Sequence, residues 1–133
     1  MMKNLPAKNA VLQGDPLTRR IIACAIEVHR RLGPGLLEKL YKEAMIIEMG
    51  LDGLKVEKNV KILVEYKGKP IGEYIIDLLV ADSVILELKS VERHDPVFEA
   101  QILSYMKITG KKVGLLINFN SKMVKDGIKR FVL

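Results

Sequence analysis

Tryptophan is absent from the 133-residue sequence, and aromatic residues make up only 5% of it. A stacking platform for single-stranded bases is therefore not expected. Cys24 is the single cysteine, which rules out a disulfide framework. With His29 and His94 as the only histidines, neither a zinc finger nor a His-rich metal centre can be assembled. Any metal must then be a hard ion held by carboxylate and carbonyl oxygens. No apolar run approaches the ~20 residues of a membrane span. The opening MMKNLPAKNAVLQGD lacks the shape of a signal peptide. The expected location is the cytoplasm, with no membrane partner, and a lone thiol agrees with a reducing compartment.

What is present is a globular composition, 49% hydrophobic and 29% charged, at a length that suits one domain. Twenty-two Lys and Arg against sixteen Asp and Glu leave a net charge of +6, which favours anionic partners and nucleic acid first among them.

Residues 1–14 read as a flexible lead-in, and residues 15–133 as the domain. Asp15-Pro16 has the form of an N-cap followed by proline in the first helical turn. Leu17, Ile21, Ala25, Val28 and Leu32 then recur at helical spacing, and Gly33-Pro34-Gly35 ends the helix. A second helix is expected from about Leu36 to Met49, with Leu37, Leu40, Tyr41, Ala44 and Met45 on its apolar face. Val60, Ile62 and Val64 alternate as in a strand. Lys67-Gly68-Lys69-Pro70 reads as a turn. Ile71–Val80 and Val84–Val91 read as two further strands around a tight connection at 81–83, giving an antiparallel meander. Asp95-Pro96 opens a third helix through Phe98, Ile102, Tyr105 and Met106, which stops at Gly110. Val113–Phe119 is expected to be a strand buried on both faces. Asp126-Gly127 favours a turn before Ile128–Val132. After the first helix the order is α-β-β-β-α-β.

Two acids stand where a strand should be apolar. Glu87 and Lys89 share one face of the third strand, because side chains alternate. Asp77 interrupts Ile75-Ile76 and Leu78-Leu79-Val80 on the strand before it. If these strands pair through the 81–83 turn, the two carboxylates lie close and need a cation, a proton or Lys89 to offset their repulsion. Asp77 and Glu87, helped by the backbone carbonyl of Leu88, suit Mg²⁺ or Mn²⁺, which would polarise a phosphate and acidify a bound water. Lys89 would then orient that water or stabilise developing charge. The plainer alternative is a Glu87–Lys89 ion pair on a wet strand face. Other residues also have plain readings. Tyr41 suits the core, Cys24 is a small buried hydrophobe, and Gln101 and Tyr105 are a hydrogen-bonding pair one turn apart. His29 and His94 read as surface or loop residues. Lys122, Lys125, Lys129 and Arg130 make a solvated basic tail that could grip phosphates.

The stretch Gly35-Leu36-Leu37-Glu38-Lys39-Leu40-Tyr41 resembles the signature of the GxxExxY protein family. The likeness continues through Asp77-Leu78-Leu79-Val80, Glu87-Leu88-Lys89, Glu99-Ala100-Gln101 with Tyr105, and Val113–Phe119. That family is grouped with the PD-(D/E)XK nuclease-like superfamily. The resemblance implies an α/β, restriction-endonuclease-like α-β-β-β-α-β core, with a mixed central sheet flanked by helices and an additional N-terminal helix. It implies that Asp77 is the metal-binding aspartate, that Glu87 and Lys89 are the E-x-K pair, and that Glu38 helps hold metal or its water. Gln101 and Tyr105 would support the lysine or contact substrate. Ile76 replaces the proline of the superfamily name, and Phe98 stands where many members have histidine, so any role of that position is lost.

Together these readings lead to a Mg²⁺- or Mn²⁺-dependent nuclease-like domain that hydrolyses phosphodiester bonds, with DNA as the first expectation. Two alternatives stand beside it. One is a non-catalytic module of this fold that binds nucleic acid or a protein. The other is a homodimeric accessory protein with structural carboxylates.

Overall fold

The computed structural model describes residues 14–133; of the expected lead-in, residues 1–13 lie outside the described residues. Helix α1 (Pro16–Leu32) starts as its sequence dictates. Asp15 accepts from the Thr18 N–H at 2.8 Å, and Pro16 occupies the first turn. Its apolar stripe, Ile21, Ile22, Ala25 and Val28, is buried.

Helix α2 (Glu38–Leu51) begins two residues later than the expected Leu36 and runs through Gly50. Leu37 is extended at its N-cap. The loop before it is fastened instead of helical: Ser90 Oγ donates to the Leu36 carbonyl at 2.6 Å, and the Leu36 N–H donates to the Tyr41 hydroxyl at 3.1 Å.

Five strands follow, β1 (Val56–Tyr66), β2 (Lys69–Val80), β3 (Val84–Lys89), β4 (Val113–Asn118) and β5 (Ile128–Val132), lying side by side in chain order. Helix α3 (Pro96–Thr109) carries the chain from β3 to β4, which are therefore parallel; the other neighbours are antiparallel. The β1–β2 turn is tighter than expected. Only Lys67 and Gly68 form it, both with positive φ (51° and 79°), and Lys69 and Pro70 already belong to β2. A two-residue loop of this form matches the twist of the paired strands. Strand β3 ends at Lys89, short of the expected Val91.

The sheet buries both of its faces. On one side α1 and α2 pack Ile21, Ala25, Tyr41 and Met45 against Leu78, Val80, Leu86, Leu88, Leu115 and Ile117. On the other, α3 packs Ile102, Tyr105 and Met106 against Ile62, Ile76, Leu79, Ile85 and Leu116. Gly114 lets α3 approach this closely, since a Cβ there would meet Met106 Sδ at 2.8 Å. The result is the expected α/β architecture with an additional N-terminal helix.

Two surface expectations are corrected. His29 is buried, its Nε2 2.9 Å from the Ser121 carbonyl, because it lies on the inward side of α1 toward the β4–β5 connection. Arg130 is not part of a solvated tail: its side chain is 7% exposed and reaches Asp15 at 3.3 Å. Strand alternation turns it toward the start of α1, while its neighbour Lys129 meets Glu99 on α3. Cys24 is buried as expected, and that burial pushes its thiol up to about 11.

Candidate active site

Strands β2 and β3 begin as an ordinary antiparallel pair and then part. Val80, Leu79 and Leu78 face Val84, Ile85 and Leu86, and the ladder stops there. Beyond it, side chains take over. The Asp77 N–H donates to Glu87 Oε2 at 2.8 Å, and the Leu88 N–H donates to Asp77 Oδ2 at 2.9 Å. The alternation of β2 slips at the same point: Ile76 and Leu78, two residues apart, lie in cores on opposite faces. Asn59 stands opposite on β1, between the Lys58–Leu78 and Val60–Ile76 pairs, with a left-handed φ of 53°. This kink is what brings an aspartate from one strand and a glutamate from the next to a shared position at the mouth of the fork.

Helices close the fork from both sides. Glu38 opens α2, and burial, then Asp77, push its carboxyl above the usual range against the pull of Lys89 and Lys42. Glu87 is 6% exposed. Burial first, then the charge of Asp77, raises it to about 8, although the Asp77 N–H and Lys89 favour its ionised form. Tyr105, on the inner face of α3, is pushed up to about 12 by burial, then by Glu87, Tyr74 and Asp77. Glu38, Asp77, Glu87, Lys89 and Tyr105 thus share one electrostatic neighbourhood.

Lys89 does not form the ion pair of the plainer reading. Among the described residues no salt bridge joins it to Glu87; its ammonium lies 4.4 Å from the centre of the Phe98 ring. Gln101 is half-buried on α3 one turn before Tyr105, with no hydrogen bond between the two among the described residues. Leu88 is fully buried by side chain and gives its N–H to Asp77. His94, exposed at the start of α3, pairs with Glu99 and meets the edge of the Phe98 ring.

Sequence reasoning missed two residues. Lys42 Nζ sits 3.3 Å from Asp77 Oδ1 and 2.9 Å from Asn59 Oδ1. The usable signal for Lys42 was its place one turn after Glu38 on the same helix face. Asn59 offered no such signal, because only the β1–β2 register brings it opposite Asp77.

The segment Gly35–Tyr41 has a mechanical logic. Gly35 takes a φ of 95°, which a residue with a Cβ rarely adopts. Tyr41, fully buried, stacks on Phe119 at 4.5 Å and donates its hydroxyl proton to the Gly33 carbonyl at 2.5 Å. Glycine turns the chain, tyrosine pins the turn, and Glu38 between them faces the fork.

The family model of the PD-(D/E)XK nuclease superfamily matches residues 15–131. The chain belongs to this superfamily. The match spans almost the whole described fold, from the α1 cap through β5. No curated protein matches the chain.

Members of this PD-(D/E)XK superfamily commonly use Mg²⁺ or Mn²⁺, and the donor set here can be tested for fit. Among the described residues no three His, Cys, Asp or Glu side chains gather into a cage. A two-carboxylate site completed by water is nonetheless what Mg²⁺ ordinarily accepts. Glu87 is a buried acid with an acidic neighbour and no basic hydrogen-bond partner among the described residues. A cation would relieve that imbalance, and oxygen donors alone suit a hard one. The residues fit. Among the described residues no helix is long and apolar enough to cross a membrane.

Proposed function

We propose that this PD-(D/E)XK domain is a metal-dependent nuclease that hydrolyses phosphodiester bonds, with DNA as the substrate class. One observation carries the reading: two carboxylates from different strands, Asp77 and Glu87, meet at a break in the ladder, with Lys89 two residues further along β3. Asp77 and Glu87 would hold Mg²⁺ or Mn²⁺, with the Leu88 carbonyl as a further oxygen donor and Glu38 placed to help hold the metal through one of its waters. Bound there, the dication would polarise a phosphate oxygen and lower the pKa of a coordinated water. Lys89, resting on the Phe98 ring and with no carboxylate partner among the described residues, is available to orient water or meet charge developing on phosphorus. Tyr105 keeps its proton at any ordinary pH and can donate to a phosphate oxygen. Gln101, one turn away on α3, would contact the same strand. The net charge of +6 favours the polyanion.

The finer assignments belong to the same proposal. The motif Gly35-x-x-Glu38-x-x-Tyr41 supports kinship with GxxExxY proteins as the finer family, and the cytoplasm is the proposed compartment. A homodimer would supply the second recognition surface that so small a domain lacks.

A second reading has an observation of its own. Asp77 and Glu87 each accept a backbone N–H at the fork, so both carboxylates also serve as structural clamps. That favours a non-catalytic nucleic-acid-binding module.

Nicking of plasmid DNA in Mn²⁺ or Mg²⁺ separates the two. The nuclease reading expects cleavage that disappears in Lys89→Ala and Asp77→Asn while both variants stay folded by circular dichroism. Equal cleavage in both variants marks a contaminant and defeats it. Salt-sensitive DNA binding without turnover in any metal favours the module.

A further inference from the structure

Lys42 is the described ammonium that touches the carboxylates of the fork, since Lys89 is turned onto Phe98. Lys42 and Asp77 are 18% and 15% exposed by side chain, so this is a half-sheltered contact and not a loose surface pair. The atoms involved are specific. Asp77 Oδ2 already accepts the Leu88 N–H, which makes Oδ1 the less encumbered oxygen for a metal. Lys42 occupies that oxygen at 3.3 Å. The same ammonium is held more closely, at 2.9 Å, by Asn59 Oδ1 on the other side. Asn59 takes the left-handed backbone that asparagine tolerates better than most residues, at the break in pairing opposite Asp77. An ammonium and a dication therefore contend for one oxygen, and a second acceptor stands ready for the loser.

We propose, resting on the metal-site reading above, that Lys42 is a resident cation: it covers the coordinating oxygen of Asp77 while the site is metal-free and withdraws onto Asn59 when a divalent cation is seated. It lets two adjacent acids coexist without metal. It also weakens metal binding, because part of the attraction of Asp77 is already spent on the ammonium. A nucleic-acid phosphate would draw Lys42 off Asp77 in the same direction, so each ligand strengthens the other by linkage.

The test is Mn²⁺ binding to the whole protein without nucleic acid, by isothermal calorimetry and by the electron paramagnetic resonance signal of free Mn²⁺. Lys42→Met should bind Mn²⁺ about ten-fold more tightly than wild type, since a like charge beside the ion is gone. Asn59→Gly should bind several-fold more weakly, because Lys42 then has only Asp77 to rest on. Without metal, Lys42→Met should melt at a lower temperature than wild type and gain more from added Mn²⁺. Equal or weaker Mn²⁺ binding in Lys42→Met overturns the proposal. Should Lys42→Met not fold, Lys42→Gln, which keeps a donor for both oxygens without the charge, is judged by the same criterion. A wild-type protein that takes up no Mn²⁺ defeats the metal-site reading itself, and this inference with it; that result is distinct from a wild type that binds and a variant that binds equally.

Discussion

The two ends of the β2–β3 pair hold the same strands together by different means. At the turn end, Leu78, Leu79 and Val80 face Val84, Ile85 and Leu86, all buried, and the backbone ladder is regular. At the fork, a few ångströms away, Asp77 and Glu87 accept the N–H groups that the ladder no longer pairs. Apolar packing and backbone pairing reinforce one another at the first end. At the second, carboxylates are kept in a sheltered place because the backbone itself gives them hydrogen bonds. The paired end is a scaffold; the forked end holds acidic groups that a scaffold alone would expel.

Mutations at the two ends can break this contrast. The largest loss is expected from the packed end: Leu86→Ala should cost about 3 kcal/mol in urea unfolding by leaving a cavity between the layers. Asp77→Ala, at the forked end, should cost about 2 kcal/mol, since the Leu88 N–H and Lys42 both lose their acceptor. Asp77→Asn keeps the acceptor for Leu88 and should recover part of that loss. A cost under about 0.5 kcal/mol for Asp77→Ala would show that the carboxylate does not hold the fork.

Glu87 sharpens the contrast through pH. The unfolded carboxyl ionises at its ordinary 4.5, while the folded one keeps its proton to about 8. Between those values the folded state holds the extra proton, so stability falls as pH rises, with a slope approaching about 1.4 kcal/mol per pH unit. Glu87→Gln can still accept the Asp77 N–H and should lose that slope, becoming the more stable protein at pH 8 and above. Urea midpoints across pH 5 to 9 measure it; parallel curves for the two proteins would count against a buried, proton-holding Glu87. The smallest effect is expected far from both ends. Glu27→Ala removes exposed pairs with Arg30 and Arg31 on α1 and should leave the urea midpoint where it was.

Much of this was legible before any coordinates. Asp15-Pro16 and Asp95-Pro96 marked two helix starts because capping is local chemistry, read within four residues. Asp77, Glu87 and Lys89 stood out because a charged residue inside an apolar strand contradicts its surroundings. The superfamily followed from the resemblance of several such segments in order. What stayed hidden depended on contacts between distant segments. The burial of His29 depends on Ser121, the pairing of Arg130 on Asp15, and the role of Lys42 on a kink that aligns Asn59 with Asp77. The rest of Lys89 against Phe98 was hidden for the same reason: alternation gave its face but not its neighbour.

The early end of the β2–β3 ladder has one more consequence. From Lys69 to Ile76, β2 pairs among the described residues with β1 alone; Ile62, Tyr74 and Ile76 hold the root of this hairpin on α3, and its outer half beyond Glu73 reaches past the sheet as a two-stranded arm. Ile71 along it, and Tyr74 and Ile75 at its root, are exposed. Such a ribbon opens more readily than the five-stranded centre. Deuterium should enter its amides long before it reaches Leu86 or Ile117, and the arm can swing while the fork it springs from stays fixed.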